Sequence, residues 1–166
     1  MPRALVRQSD GTFLLTRPDW NVKSAGGDEV VPPPDFVGET LQDIPFHRTR
    51  LGLVAAETAF FSLAGDSFNF WPQSATNITD EDPFGLTGTV EKVAKFRHAV
   101  PFRKSLFIMA DGAQFEVSGT ALTPLAAAID PATGYTVDPR CRPVVIDNEL
   151  YFAVSVGDEA GLYIYQ

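Results

Sequence analysis

Ser105-Leu106-Phe107-Ile108-Met109-Ala110-Asp111-Gly112-Ala113-Gln114-Phe115-Glu116-Val117 is the stretch that decides the fold. Two apolar arms flank Asp111-Gly112, a pair suited to the positive φ angles that a tight hairpin turn requires. Alternation in the second arm sends Phe115 and Val117 to one face and Gln114 and Glu116 to the other, the period-two signature of a strand. The same grammar recurs toward the C-terminus. Pro143-Val144-Val145-Ile146, Leu150 to Val154 and Leu162 to Tyr165 are short apolar runs separated by Asp147-Asn148 and Gly157-Asp158. They read as a three-stranded antiparallel meander.

Upstream, Arg50 to Ala56 and Thr58 to Leu63 form a second strong β block, stopped by Gly65-Asp66. Leu5 to Arg7 and Thr12 to Thr16 make a further hairpin around Ser9-Asp10-Gly11. Residues 18–38, with Gly26-Gly27-Asp28 and Pro32-Pro33-Pro34, read as an extended and partly polyproline-like loop. Residues 119–142 read as irregular, punctuated by Pro124, Pro131, Gly134 and Pro139. A short helical turn is expected through Gln73-Ser74-Ala75, after Pro72. Glu91 to His98 suits either two helical turns or a strand. The expectation is an all-β fold of nine to eleven strands. It consists mainly of antiparallel hairpins and meanders, propeller-like or sandwich-like, with at most one or two short helices. Residues 1–166 are expected to form a single β-rich module.

Composition narrows the function classes. The 166 residues carry 13 Lys and Arg against 21 Asp and Glu, a formal charge of −8. Non-specific binding to nucleic acid or to an anionic membrane surface needs a basic face, which this balance does not favour. Thirteen glycines and thirteen prolines fit many short elements joined by turns. A lone cysteine, Cys141, excludes an intrachain disulfide. It stands between Arg140 and Arg142 and reads as an incidental free thiol. No apolar signal-peptide core follows Met1-Pro2-Arg3, and no stretch reaches the ~20 apolar residues of a membrane helix. A soluble chain without a membrane anchor is expected.

Three constellations invite a chemical reading. Gly65-Asp66-Ser67 matches the nucleophile block of one class of esterases, but that chemistry needs a histidine oriented by an acid. His47 and His98 are the two histidines, and neither stands in the Asp-x-x-His arrangement of that class. A tight turn explains the block. Asp80-Glu81-Asp82, ending at Pro83, offers three carboxylates to a hard cation such as Ca²⁺, yet lacks the alternating ligands and the glycine of a calcium loop. A solvated acidic turn is the simpler account. No phosphate cradle with its lysine is present. Phe68, Phe70 and Trp71, with Asn69 between them, suit either a core plug or a stacking platform for a sugar or a base, the acidic charge arguing against nucleotides. Thirteen phenylalanines must be buried somewhere, and burial is the default. No cofactor is expected.

The order of these blocks carries a resemblance. Arg50-Leu51-Gly52 is followed by Ala64-Gly65-Asp66-Ser67-Phe68-Asn69-Phe70-Trp71-Pro72, then Asp80-Glu81-Asp82-Pro83. Ala113-Gln114-Phe115, Leu122-Thr123-Pro124, Pro143 and Tyr151-Phe152 complete the series. Upstream stand a Met-Pro start, Asp10-Gly11-Thr12-Phe13, Trp20, Phe36-Val37-Gly38 and Phe46. The series resembles the tail tubular protein B family of short-tailed bacteriophages, the nozzle of the T7-like tail. It departs from the family in length, since relatives are several times longer and the chain resembles an internal piece, either an excised domain or a shortened relative. It also departs at His47-Arg48-Thr49, where relatives tend to have Phe-Arg-Asn.

The resemblance implies a virion structural protein without catalysis, made in the host cytoplasm and located in the phage tail. Its implied partners are copies of itself in a six-fold ring and the adjoining tail adaptor and tube proteins. DNA passes through the channel without specific binding. The implied fold signature is Gly65, Asp66, Phe68, Asn69, Phe70, Trp71, Asp82, Pro83, Gln114 and Phe115. Within it Gly65-Asp66 makes a turn, the three aromatics fill the adjoining core, and Asp82-Pro83 ends the next segment. Acidic walls would repel phosphate, and the charge of −8 agrees with such walls. The alternative from the residues is an aromatic-lined β module that binds host-surface carbohydrate.

Overall fold

The computed structural model describes residues 3–90 and 93–166. Among these residues fourteen strands, β1 to β14, form four antiparallel sheets. β1 (Ala4–Arg7) and β2 (Phe13–Thr16) make an isolated hairpin. The first large sheet runs β3 (Leu41–Asp43), β5 (Arg50–Ala55), β6 (Thr58–Phe61), β7 (Phe84–Thr87), with β4 (Phe46–His47) also paired to β5. The middle sheet is ordered β11 (Ala128–Thr133), β10 (Ala113–Ser118), β9 (Ser105–Ala110), β8 (Phe96–Phe102). The last is the meander of β12 (Val144–Ile146), β13 (Glu149–Val156) and β14 (Glu159–Tyr165).

Alternation along the strands builds the core. From β9, Leu106, Ile108 and Ala110 face the first large sheet, where they meet Val54, Ala59 and Phe61 together with Phe96 and Phe115. Phe107 and Met109 point the opposite way, against Leu150, Phe152 and Val154 of the last sheet. The middle sheet is therefore buried on both faces, and the three large sheets stack in chain order. A third apolar cluster covers the far face of the first sheet, where Leu53 and Ala55 receive Phe36 and Phe70. Packing is close at Gly88, where an added Cβ would lie 2.8–2.9 Å from the rings of Phe96 and Phe115.

The all-β expectation holds, with some local corrections. Among the described residues there is no helix, and Gln73-Ser74-Ala75 lies in a bend. From Glu91 to His98, the strand β8 begins at Phe96, whereas Glu91 and Lys92, like Met1 and Pro2, lie outside the described residues. The segment 119–142 is not uniformly irregular, because it contains β11. Pro131 lies inside that strand and pairs with Phe115 beside a register shift. Its missing N–H is tolerated because β11 is an outer strand. Pro101 occupies the opposite outer strand, β8, in the same way. Two-residue or three-residue strands such as β4 and β3 are too short for periodicity to reveal, which raises the count above eleven. No helix among the described residues is long and apolar enough to cross a membrane.

Candidate functional site

Arg50 opens β5 and is 2% exposed. A buried guanidinium requires several acceptors, and here main-chain oxygens supply them. Nη1 donates to the carbonyls of Ser62 at 2.5 Å, Asp82 at 2.9 Å and Glu81 at 3.1 Å. Nη2 donates to the Asp80 carbonyl at 2.6 Å. The ring of Phe84 lies against it, 5.3 Å from the guanidinium carbon. Burial pushes the Arg50 pKa down, opposed by the charges of Asp82, Asp80 and Glu81. The acidic triplet thus wraps around an internal cation, through its peptide carbonyls.

Asp82 is itself buried. Its carboxylate accepts from the backbone N–H of Gln73 at 3.0 Å and of Thr79 at 2.8 Å, and from the Thr79 hydroxyl at 3.1 Å. Burial acts to raise its pKa, but these hydrogen bonds and Arg50 hold it below the ordinary carboxylate value. Pro83 then leads directly into β7. Among the described residues no group of three His, Cys, Asp or Glu side chains is arranged to hold a metal ion.

Gly65 makes its turn with φ +76°, a conformation that glycine adopts without steric cost. Its N–H donates to the Thr49 carbonyl at 3.1 Å, and the preceding Ala64 N–H to that of Glu81 at 3.0 Å. Asp66 accepts from the Phe68 N–H at 3.1 Å through Oδ1 and from the Asn21 side-chain amide at 2.9 Å through Oδ2. Asn69 accepts from the Trp71 N–H at 3.0 Å through Oδ1. Its own carbonyl takes the Leu63 N–H at 2.8 Å. Asp66 and Asn69 therefore each fix backbone two residues on, a local pattern typical of Asx turns.

The aromatics divide. Phe70 is buried, 5.2 Å from Phe36 and 5.9 Å from Trp20 between centroids. Phe68 sits edge-on to Trp20 yet is 40% exposed. Trp71 is half-buried, with the Lys23 ammonium 5.3 Å from its ring centroid. The expectation that all three fill the core is corrected to Phe70 alone, because Trp20 and Phe36 from the long loop already close that face. The remaining cleft among Trp20, Phe68, Phe70 and Trp71 holds about 70 Å³.

Gln114 and Phe115 belong to the middle sheet and do not join this centre. Phe115 is fully buried in the first core cluster. On the opposite face of β10, the buried Gln114 amide donates to the Tyr135 carbonyl at 2.8 Å. Its oxygen accepts from the Tyr135 N–H at 3.1 Å and from the Thr133 hydroxyl. Ser67 and the histidines are not brought together as a hydrogen-bonded pair; His98 Nε2 instead lies 3.0 Å from the Pro139 carbonyl. A cleft of about 640 Å³ beside Val90, Val93 and Pro131 has Asp111 as its titratable lining group among the described residues. Arg97 engages that carboxylate at 2.6 and 2.9 Å.

The signature residues before position 84 are thus joined by Arg50, Thr49, Gln73, Thr79 and Asn21, which were not singled out as site residues from sequence. A lone arginine heading the apolar run Leu51-Gly52-Leu53-Val54-Ala55-Ala56 was the available signal.

Comparison with known proteins agrees with the sequence resemblance. Tail tubular protein gp12 of Escherichia phage T7 is 39% identical over 155 residues, covering 92% of this chain and 19% of that protein. The chain spans about a fifth of the length of this curated relative. The family model described as bacteriophage nozzle protein matches residues 1–166, and the chain belongs to that family.

Proposed function

We propose that this chain is a non-catalytic structural module of a phage tail nozzle, continuing the channel through which DNA leaves the virion. The observation that carries the reading is family membership over the whole chain. The chemistry of the signature block supports it, since its Asp66 and Asn69 carboxyl and amide oxygens hold nearby chain in place. The partners are copies of the full-length protein in a six-fold ring and the adjoining tail adaptor and tube proteins. DNA passes without specific binding, along a lumen lined by acidic residues. Residues 1–166 act as one β-rich unit of the longer polypeptide, and Gly65, Asp66, Phe68, Asn69, Phe70, Trp71, Asp82, Pro83, Gln114 and Phe115 serve its fold.

Electron microscopy of the intact particle tests this reading. A six-fold ring with this module at an acidic lumen is expected, and a positive lumen would overturn the channel assignment. Fluorophosphonate labelling at Ser67 would overturn the absence of catalysis. A second reading, carbohydrate binding, draws on the exposure of Phe68 and the half-buried Trp71. Against it, a cleft of about 70 Å³ is far below the ~300 Å³ at which ligand pockets begin. Glycan-array binding that Trp71→Ala abolishes without unfolding the protein would favour this alternative.

A further inference from the structure

Two apolar surfaces with opposite charge around them are exposed among the described residues, one within 3–17 and one within 143–166. On the hairpin β1–β2, the register Leu5↔Leu15 and Arg7↔Phe13 puts these four side chains on one face. Leu5, Phe13 and Leu15 are 62–66% exposed, against 45% and 53% for Val6 and Leu14 on the other face. The same alternation adds Arg3 and Arg17, so residues 3–17 carry three arginines against the single Asp10. A two-stranded hairpin with uncovered apolar residues is marginal by itself in water.

The outer face of the last sheet is its counterpart. Register pairs Val144 and Ile164 with Tyr151, and Leu162 with Ala153, all opposite to the inward Leu150, Phe152 and Val154. Val144, Ile146, Leu162 and Ile164 are 50–71% exposed. Asp147 and Asp158 stand in the turns at the rim of this sheet, Glu159 takes the inward parity by pairing with Val156, and residues 143–166 hold no lysine or arginine. Glu149 lies on this face by its pairing with Ile146. Hydrogen bonds from Tyr151 and Gln166 keep its carboxylate in place.

We propose that the basic apolar face of the β1–β2 hairpin docks on the acidic-rimmed outer face of β12–β14 in a second copy of this chain. Opposite charge on two uncovered apolar faces identifies the occupant, since complementary rims set register and steer encounter. Size agrees, because four-residue strands span about 13 Å and the seven residues of β14 about 23 Å. The contact joins different surfaces of the two copies, and a head-to-tail contact of that kind repeats into a ring when its rotation closes. The proposal rests on the structural reading above and names the surfaces that the copies use.

Cross-linking tests it. In a Cys141→Ser background, Leu15→Cys and Leu162→Cys proteins are mixed at high concentration and mildly oxidised. The mixed disulfide dimer is expected in excess of either homodimer, and equal or absent mixed product overturns the proposal. Sedimentation provides a second readout at exposed positions. Arg7→Glu is expected to weaken self-association on the order of tenfold, and added Glu149→Arg to restore it. Unchanged association in both variants overturns the docking. If microscopy shows the ring while the mixed cross-link is absent, the docking falls and the structural reading stands. If the ring is absent as well, both fall.

Discussion

Arg50 and Asp82 meet through the peptide of Asp82, not through its carboxylate. Nη1 of Arg50 donates to the Asp82 carbonyl at 2.9 Å, while Gln73 and Thr79 occupy the carboxylate. The two buried charges therefore serve different pieces of chain. Arg50 gathers the carbonyls of 62 and 80–82 beneath β5, and Asp82 folds 73–79 onto the same spot.

Removing that gathering point is expected to be costly. Arg50→Ala leaves buried carbonyls without a donor and should lower stability by about 3–5 kcal/mol. Arg50→Lys keeps the charge but loses the planar fork, and should cost about 2 kcal/mol. Urea midpoints at constant m-value measure both, and an Arg50→Lys protein as stable as its parent would contradict the role of the fork.

Acid should unfold the protein in a way traceable to Asp82. Its folded pKa is lowered relative to the unfolded chain. Such a group stabilises the fold above its unfolded value, near ~3.9, and the contribution is lost as pH falls through the folded value. Asp138, hydrogen-bonded by Arg140, and Glu149, hydrogen-bonded by Tyr151, are shifted in the same direction. The melting temperature should drop steeply below pH ~4, after a smaller loss below pH ~6.5, where His47, whose pKa burial and Arg48 lower, protonates more readily in the unfolded chain. Asp82→Asn should lower it at neutral pH and make the acid slope shallower, as scanning calorimetry across pH will read.

The β4–β5 turn offers a stabilising change. Arg48 and Thr49 have φ of +45° and +66°, left-handed at both turn positions. That conformation disfavours a β-branched residue and suits asparagine or glycine. Thr49→Asn should gain about 0.5–1 kcal/mol in thermal melts.

Gln114 ties residues 133 and 135 to β10 through both ends of its amide. Gln114→Leu preserves size but leaves the Tyr135 N–H and carbonyl unpaired, at a cost of about 1–3 kcal/mol. Hydrogen exchange should show the added opening concentrated at 131–137, and uniform loss of protection would contradict a local tie.

Sequence reading succeeded where the turn residue and the alternation agreed. Asp111-Gly112 fixed the β9–β10 hairpin, and Asp147-Asn148 with Gly157-Asp158 fixed the last meander. It failed at β11, because Pro131 and the surrounding alanines carry no strand pattern and pairing with β10 supplies the order. The centre around Arg50 was less legible for a different reason. Its partners are main-chain carbonyls 12 to 32 residues away, and a carbonyl has no residue type to recognise. Exposure of Phe68 and Trp71 was likewise hidden, since it depends on how Trp20 and Phe36 arrive from the loop.

The prolines of β8 and β11 bear on how such a unit can grow. Both flanks of the middle layer carry a residue with no N–H to offer, which makes them poor templates for another strand. Sideways accretion, the route to fibres, is discouraged on that layer. What the architecture leaves open is addition perpendicular to it, one apolar plane laid over another, so that an assembly gains thickness through side chains while its hydrogen-bonded ladders keep their native width.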